Sequence, residues 1–134
     1  MASDVERMQA ACAVAGENVP PGAADEQLEA FEQRHGVGLP AGMRAFYTFM
    51  NGAVYDHAMF AFWPLDEIRR TTVDNESNWF IFADHSVSVF EYAIQLTIDG
   101  SAPNNVYCPE LARKVATSFT DFLRRCRDES MSLL

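Results

Sequence analysis

The sequence predicts a single α+β domain, in which a mainly antiparallel sheet packs against helices and one further helix is appended at the N-terminus. The chain has 134 residues, 49% apolar and 22% charged, a composition typical of one ordinary globular domain. Helical periodicity dominates the first fifty residues and returns near the C-terminus. Between these regions the pattern is that of short strands bounded by turn residues.

Residues 1–19 are predicted to form an N-terminal helix and a linker that precede the main domain, residues 20–134. Ser3 and Glu6 have the spacing of a capping box. Apolar side chains then recur at helical spacing, at Val5, Met8, Cys12 and Ala15. Gly16 ends this pattern, and the two prolines that follow indicate an extended connector. Such a helix can pack on its own domain or join two copies of the chain, and both arrangements stay open here.

Two helices open the main domain. The first spans about residues 24–35, with Leu28 and Phe31 on its apolar side, and ends at Gly36. Three carboxylates share one flanking side of this helix: Asp25, Glu29 and Glu32. The second helix begins at Leu39-Pro40, because proline is favoured in the first turn, and ends at Asn51-Gly52. Its predicted buried face consists of Met43, Phe46, Tyr47 and Met50.

Strand patterns follow. Residues 58–63 form a predicted strand that ends at Trp63 before Pro64, and residues 64–68 indicate a short helical turn. Residues 79–83 are apolar on both alternating faces, as in a central strand. Apolar positions are odd at 87 and 89 but even from 90 to 96. Because a period of two cannot change phase without an extra residue, we expect a β-bulge or a strand break near Val89 and Phe90.

The last part of the domain is predicted to contain a turn, a short strand and a helix. Asp99-Gly100 favours a turn, and residues 106–108 a short strand. We expect Ser118 to be the N-cap of the last helix, with Asp121 three residues on. Its inward side chains are predicted to be Phe119, Phe122, Leu123 and Cys126.

Charge and composition exclude several classes of function. The formal net charge is −9, and Lys114 is the only lysine, so a nucleic-acid partner held through its phosphates is not expected. The negative field favours a basic partner. No apolar run is long enough to cross a membrane, and the first residues lack the basic segment of a secretory signal. Three cysteines without a C-x-x-C spacing predict neither disulfides nor a zinc site, which fits a cytoplasmic protein.

The histidines do not form a convincing catalytic or metal-binding pattern. His35 lies in the last turn of its predicted helix, between Leu28 and Phe31 in projection, and is interpreted as structural. His57 and His85 each follow an aspartate, and the four residues would suit a metal only if their loops met, so we expect polar loop residues instead. Neighbours along an extended chain point to opposite sides, so Asp84-His85-Ser86 cannot act as a triad. We predict no catalytic residue, metal or cofactor.

Five groups of residues together resemble the SUKH superfamily, which includes the yeast Smi/Knr cell-wall regulators and many bacterial immunity proteins. They are the Gly36-to-Pro40 segment, the aromatic helix closing on Asn51-Gly52, the Trp63-Pro64-Leu-Asp-Glu segment, Phe82-Ala-Asp84 before a strand with Tyr92, and Ser118-Phe-x-x-Phe-Leu123. The resemblance covers roughly residues 20–127. It implies an α+β protein-binding module without a catalytic constellation. Seven motif residues carry over only as structural ones: Gly36, Leu39, Pro40, Asn51, Gly52, Trp63 and Pro64.

The chain departs from this pattern at three positions. Gly42 and Met43 replace the acidic and aromatic residues usual after Leu-Pro, and Ala53 replaces a second glycine after Asn-Gly. We therefore expect the superfamily fold with a local change in loop geometry.

Acidic side chains and exposed aromatics are the predicted partner-binding residues. The acidic candidates are Asp25, Glu29, Glu32, Asp56, Asp66, Glu67, Asp84 and Glu91. Aromatic anchors are expected among Tyr55, Trp79 and Tyr92, because interface energy concentrates in aromatic residues with charges at the rim. The resemblance implies an immunity protein that neutralises a cognate toxin, possibly a nuclease. The alternative is a regulatory adaptor that binds a housekeeping protein, and a hydrolase or metal-dependent enzyme is a distant third.

Overall fold

Seven antiparallel strands form one sheet in the part of the chain that the structure describes, and three helices lie against one of its faces. The structure is a computed structural model that describes residues 21–55, 60–85 and 89–128, without the side chains of residues 53–55, 60 and 126–128. The predicted N-terminal helix, Asp56, His57, Ser86 and the side chains of Tyr55 and Cys126 therefore lie outside the description. The α+β architecture predicted from the sequence is confirmed.

The elements follow one another in an order close to the predicted one. The helices are α1 (Asp25–His35), α2 (Ala41–Phe49) and α3 (Phe119–Asp128), and a 3-10 helix spans Leu65–Glu67. The strands are β1 (Ala53–Tyr55), β2 (Phe60–Phe62), β3 (Arg69–Val73), β4 (Glu76–His85), β5 (Phe90–Gln95), β6 (Val106–Cys108) and β7 (Arg113–Ala116).

The long strand β4 organises the sheet, whose order is β1-β2-β4-β5-β6-β7 with β3 also paired to β4. Along one edge of β4, β2 pairs with residues 83–85 and β3 with residues 76–81. Phe62 lies opposite Ala83, and Arg69 lies opposite Ile81. The six residues between Phe62 and Arg69 therefore span only two residues of β4, so residues 63–68 leave the sheet as an excursion loop.

The predicted break near Val89 and Phe90 is confirmed as the end of a hairpin. Val89 lies in the turn and Phe90 is the first residue of β5. A register shift also occurs in β4 between Ile81 and Ala83, which pair with Ala93 and Tyr92. Because Phe82 is the extra residue, Phe82 and Ala83 both join the main core, whereas Ile81 joins a cluster on the other face.

Local hydrogen bonds cap the first turns of α1 and α3. The Gln27 side chain accepts a hydrogen bond from the Ala24 amide at the start of α1, and Gly36, with φ of 66°, ends that helix. As predicted, Ser118 caps α3, because its hydroxyl accepts a hydrogen bond from the Asp121 amide at 3.0 Å. These caps supply partners for amides that a helix leaves unpaired in its first turn.

The main core lies between the helices and the inner face of the sheet. All four apolar residues predicted for α2 are fully buried: Met43, Phe46, Tyr47 and Met50. Phe119 and Phe122 of α3 contact Phe82 and Phe62 of the sheet, with ring centroids 5.2–6.3 Å apart. This layer of aromatic rings holds α2 and α3 on the sheet.

Candidate functional site

The excursion loop, residues 63–68, is held by polar groups of α2 and of the residues that follow it. The Tyr47 hydroxyl donates a hydrogen bond to the Trp63 carbonyl at 2.6 Å, and the Leu65 amide donates one to the Asn51 side-chain oxygen at 2.9 Å. Gly52 has φ of 92°, and a Cβ on it would lie 2.8 Å from the Phe62 carbonyl oxygen. The motif residues Asn51 and Gly52 thus have a structural role, namely fixing this loop.

A shallow groove, called here the α1 groove, lies between α1 and the excursion loop. Its volume is about 210 Å³, its apolar lining comes from Phe31 and Leu65, and Arg34 and Asp66 also line it. Gln27 and Asn51 contribute amides, both of which already hold backbone N–H groups. The groove thus offers one carboxylate, one guanidinium and two amides to a ligand.

Exposed carboxylates lie on both of the elements that form the α1 groove. Asp66 and Glu67 lie in the 3-10 helix at the top of the excursion loop, and both are exposed. Asp25 and Glu29 are exposed on α1, as is Glu26 beside them. These five exposed carboxylates lie on two elements that contact each other, and we call them the acidic rim.

Glu32 does not belong to the acidic rim, because both of its carboxylate oxygens are engaged within the protein. One of its oxygens accepts a hydrogen bond from the Leu39 amide at 2.7 Å, and the other forms an ion pair with Arg44. The Leu39 amide lies just before α2, where backbone N–H groups lack helical partners. Glu32 therefore joins α1 to the start of α2 and has a structural role.

Asp84 and Glu91 lie on the outer face of the sheet, which we define as the face away from the helices. They are opposite each other in the β4–β5 register. Such a like-charge pair is unfavourable unless other groups compensate it. The Trp63 indole N–H donates to Asp84 at 2.6 Å, and Arg69 contacts both oxygens of Glu91 at 3.0 and 3.1 Å. Both carboxylates are thus engaged within the protein.

Two of the three aromatic anchors predicted from the sequence are not exposed. Tyr92 is fully buried in the main core, and Trp79 is only 7% exposed on the outer face. The exposure of these two was mispredicted because strand periodicity does not show which alternating face is covered. Among the described residues, three other large apolar side chains are exposed: Phe49, Val89 and Ile98. Each lies next to a turn or a helix end, where periodicity carries no information about exposure.

The described histidines pack against aromatic rings. His35 lies 4.6 Å from Phe31 and 5.1 Å from Phe80 between ring centroids, which agrees with its structural interpretation. Burial, followed by the charges of Arg70 and Arg34, lowers the pKa of His35, so its imidazole is neutral at pH 7. His85 contacts the ring of Phe90, whereas Asp84 contacts Trp63. Within residues 21–55, 60–85 and 89–128, no three His, Cys, Asp or Glu side chains are grouped to hold a metal.

Comparison with known proteins identifies the family. None of the described helices has both the length and the apolar character needed to cross a membrane. A search of curated proteins finds no match to the chain. The sequence model of the SMI1 / KNR4 family (SUKH-1) matches residues 22–125, from just before α1 into α3. Members of this family are in general not enzymes, and SUKH domains are commonly immunity proteins. The match spans well over half of the sequence, and the chain therefore belongs to the SMI1/KNR4 family, SUKH-1.

Proposed function

We propose that this chain is a cytoplasmic immunity protein that binds a cognate toxin domain and neutralises it without catalysing a reaction. The observation that carries the proposal is the acidic rim on α1 and the excursion loop, in a family that consists in general of non-enzymatic proteins. The motif residues nearby have structural roles. Arg34 is the one cation among the described residues that line the α1 groove, so the exposed charge on these two elements is mainly negative. The partner surface that complements this charge is basic.

Charge favours a toxin that acts on nucleic acid. Such an enzyme needs a basic surface to hold phosphates. A protein of net charge −9 is attracted to that surface and repelled by the nucleic acid itself. Complementary charge raises association rates from about 10⁵–10⁶ to as much as 10⁸–10⁹ M⁻¹s⁻¹ at low salt. Fast capture is valuable when the free partner is lethal to the cell.

The α1 groove suits one long basic side chain of the partner. Phe31 and Leu65 offer apolar contact to the aliphatic part of an arginine or lysine, and Asp66 offers a carboxylate to its charged end. A stable interface buries about 1,200–2,000 Å² in total, which is far more than this groove provides. The interface therefore extends over the exposed part of α1, where Asp25 and Glu29 lie.

The first experiment asks whether the chain protects cells from a toxin. The C-terminal domain of a large protein encoded by the neighbouring gene is expressed in a host, with and without this chain. Growth of the host and direct binding of the two proteins are measured. We expect restored growth and a stable complex. No rescue together with binding to a housekeeping protein would contradict the proposal and support the adaptor function instead.

The second experiment tests whether the acidic rim is the surface that binds the toxin domain. The double variant D66N/E67Q removes two charges of the acidic rim, and D74N/E76Q removes two exposed charges at the β3–β4 turn as a matched control. Asn75 already adopts a left-handed conformation there, so Asn is tolerated at the neighbouring position 74, whose φ is 52°. We expect the rim variant to slow association at least about tenfold at low salt, since steering raises rates by about 10–10³. An equal effect of both variants would place the interface elsewhere.

A further inference from the structure

The α1 groove contains one cation and one anion that have no partner among the described residues. Arg34 comes from the last turn of α1 and Asp66 from the 3-10 helix, so the two charges lie on the two elements that enclose the groove. Both residues are exposed, and neither forms an ion pair or a hydrogen bond through its side chain in the described part of the chain. Both charges are therefore available to a ligand at the same time.

Arg34 differs in this respect from arginines elsewhere in the domain. Five of those contact a carboxylate or a backbone carbonyl: Arg44, Arg69, Arg70, Arg124 and Arg125. A guanidinium carries five N–H donors in a planar fork, and this fork matches the two oxygens of a carboxylate. The donors of Arg34 are not used inside the described chain, and the group that fits them best is a carboxylate.

The small size of the α1 groove means that a ligand meets both charges. Its volume of about 210 Å³ corresponds to about seven water molecules at about 30 Å³ each, which is room for the ends of one or two side chains. A group that fills the groove to reach Asp66 therefore also removes water from Arg34. A guanidinium that loses water without gaining an acceptor weakens the complex. A basic side chain alone would leave Arg34 in this state.

We propose that the α1 groove binds a basic side chain and a neighbouring carboxylate of the toxin domain, and that Arg34 determines specificity because it requires that carboxylate. This inference rests on the proposed function and adds the acidic half of the contact to it. Asp66 binds the basic group and Arg34 the carboxylate, while Phe31 and Leu65 contact the aliphatic parts of both side chains. The acidic rim attracts any basic surface, whereas Arg34 disfavours a surface that has no carboxylate at this point.

Removal of the Arg34 charge has opposite expected effects on the two rate constants of binding. A positive charge beside the acidic rim repels a basic partner, so its removal does not slow association. An ion pair that the partner covers acts mainly on dissociation, so loss of Arg34 makes the complex dissociate faster. A groove that takes only a basic side chain would give the reverse, namely slower dissociation without Arg34.

Binding kinetics of R34Q with the C-terminal domain encoded by the neighbouring gene test the proposal. Glutamine is a good helix former, so the exposed end of α1 is retained. K114Q is the matched control, because Lys114 is exposed on β7, forms no described ion pair and gives the same change in net charge. We expect R34Q to dissociate at least about tenfold faster than the wild-type chain and to associate no more slowly. K114Q should dissociate at the wild-type rate.

The partner of Arg34 is found by changing the carboxylates of the toxin domain to amides, one at a time. One such variant, combined with R34Q, should dissociate no faster than R34Q alone, because the two changes remove the same contact. Additive effects for every carboxylate would overturn the inference. Unchanged or slower dissociation of R34Q would also overturn it and would leave the proposed function in place, since the complex still forms. Absence of any complex with the wild-type chain would overturn the proposed function and this inference together.

A C-terminally amidated hexalysine peptide tests the specificity role without the toxin domain. The peptide is basic and carries no carboxylate, so it represents the kind of surface that Arg34 disfavours. We expect R34Q to bind it several-fold more tightly than K114Q does at low salt, because R34Q removes a positive charge from the groove that contains Asp66. Fluorescence anisotropy of the labelled peptide measures both affinities. Equal affinities would overturn the specificity role of Arg34.

Discussion

The two faces of the sheet differ in how much packing and how many polar contacts they contain. The inner face meets three helices and forms the main core, which contains eight fully buried aromatic rings among the described residues. The outer face carries a smaller apolar cluster, called here the outer cluster, which consists of Val73, Trp79, Ile81 and Ala93. It also carries a surface network of Trp63, Arg69, Asp84 and Glu91. The inner face thus accounts for most of the buried apolar area, and we expect the stability of the domain to depend mainly on it.

Truncation of one isoleucine to alanine on each face of the sheet is expected to cause the largest losses in the free energy of unfolding. Ile94 in β5 is fully buried in the main core, and Ile81 in β4 is 3% exposed in the outer cluster. Truncation of a buried isoleucine costs about 2–5 kcal/mol, depending on how well the site collapses. We expect I94A to lower the free energy of unfolding by about 4 kcal/mol and I81A by about 2 kcal/mol. Urea denaturation measures both, and a larger loss from I81A would reverse the comparison.

A tyrosine on each side of the sheet tests the polar contacts. The hydroxyl of Tyr47 donates to the Trp63 carbonyl, whereas no described hydrogen bond involves the hydroxyl of Tyr107 beside the outer cluster. Burial raises the pKa of Tyr47, so it stays a neutral donor at pH 7. We expect Y47F to cost about 1–3 kcal/mol, because the Trp63 carbonyl loses its donor, and Y107F to cost less than about 0.5 kcal/mol. Equal losses in urea denaturation would show that the excursion loop does not depend on Tyr47.

The inner face was largely predictable from sequence, for a physical reason. Helical periodicity in α2 and α3 shows which side chains are buried, because a helix packed on a sheet has one apolar side. Met43, Phe46 and Tyr47 follow this rule, and Ser118 gives the α3 cap. The shift of the apolar positions from odd to even numbers near Val89 also predicted the start of β5. Side chains in a strand alternate with a period of two, so such a shift cannot occur within one regular strand.

Other strands were missed because they carry no alternating apolar pattern. β3 has the sequence Arg-Arg-Thr-Thr-Val and lies at an edge of the sheet, with only Val73 buried. The turn after β3 does carry a sequence signal, because Asp and Asn are favoured in two-residue hairpin loops, which need positive φ. Asp74 and Asn75 form such a loop, with φ of 52° and 70°. β1 and β7 have three and four residues, too short for a periodic pattern.

The candidate site was only partly predictable. Asp66 and Glu67 are exposed as expected, since they follow a proline in a short helical turn. Helical spacing predicted that Glu32 shares one side of α1 with Asp25 and Glu29. Spacing within one helix does not show which groups of another element a side chain contacts. The contact of Glu32 with the Leu39 amide depends on the turn between α1 and α2, which places α2 beside it.

Removal of the Asp121 carboxylate at the start of α3 is expected to give the third largest loss of stability, and this loss depends on pH. Burial raises the pKa of Asp121, but hydrogen bonds from Thr117 and the charge of Arg125 outweigh it, so the pKa lies below its usual value. Because its pKa is lower in the folded state, ionised Asp121 stabilises the fold at every pH above its unfolded pKa of about 3.9. This stabilisation is lost as the pH falls through the folded pKa. We expect D121N to cost about 1 kcal/mol at pH 7 and less at pH 2. Thermal unfolding at both pH values measures this, with D66N as the charge-matched control, and a pH-independent loss would contradict it.

The ion pair between Arg69 and Glu91 on the outer face gives the smallest effect. The Arg69 side chain is 56% exposed and lies over the Trp63 ring at 5.0 Å, so water and salt screen its charge. Exposed pairs contribute about 0.2–1 kcal/mol, and we expect R69Q to cost about 0.5 kcal/mol at low salt and less in 1 M salt. R70Q is the control, because Arg70 contacts the His35 and Ser77 carbonyls and forms no described ion pair. If R69Q cost more than D121N at either salt concentration, polar contacts on the outer face would matter as much as those of the helical layer.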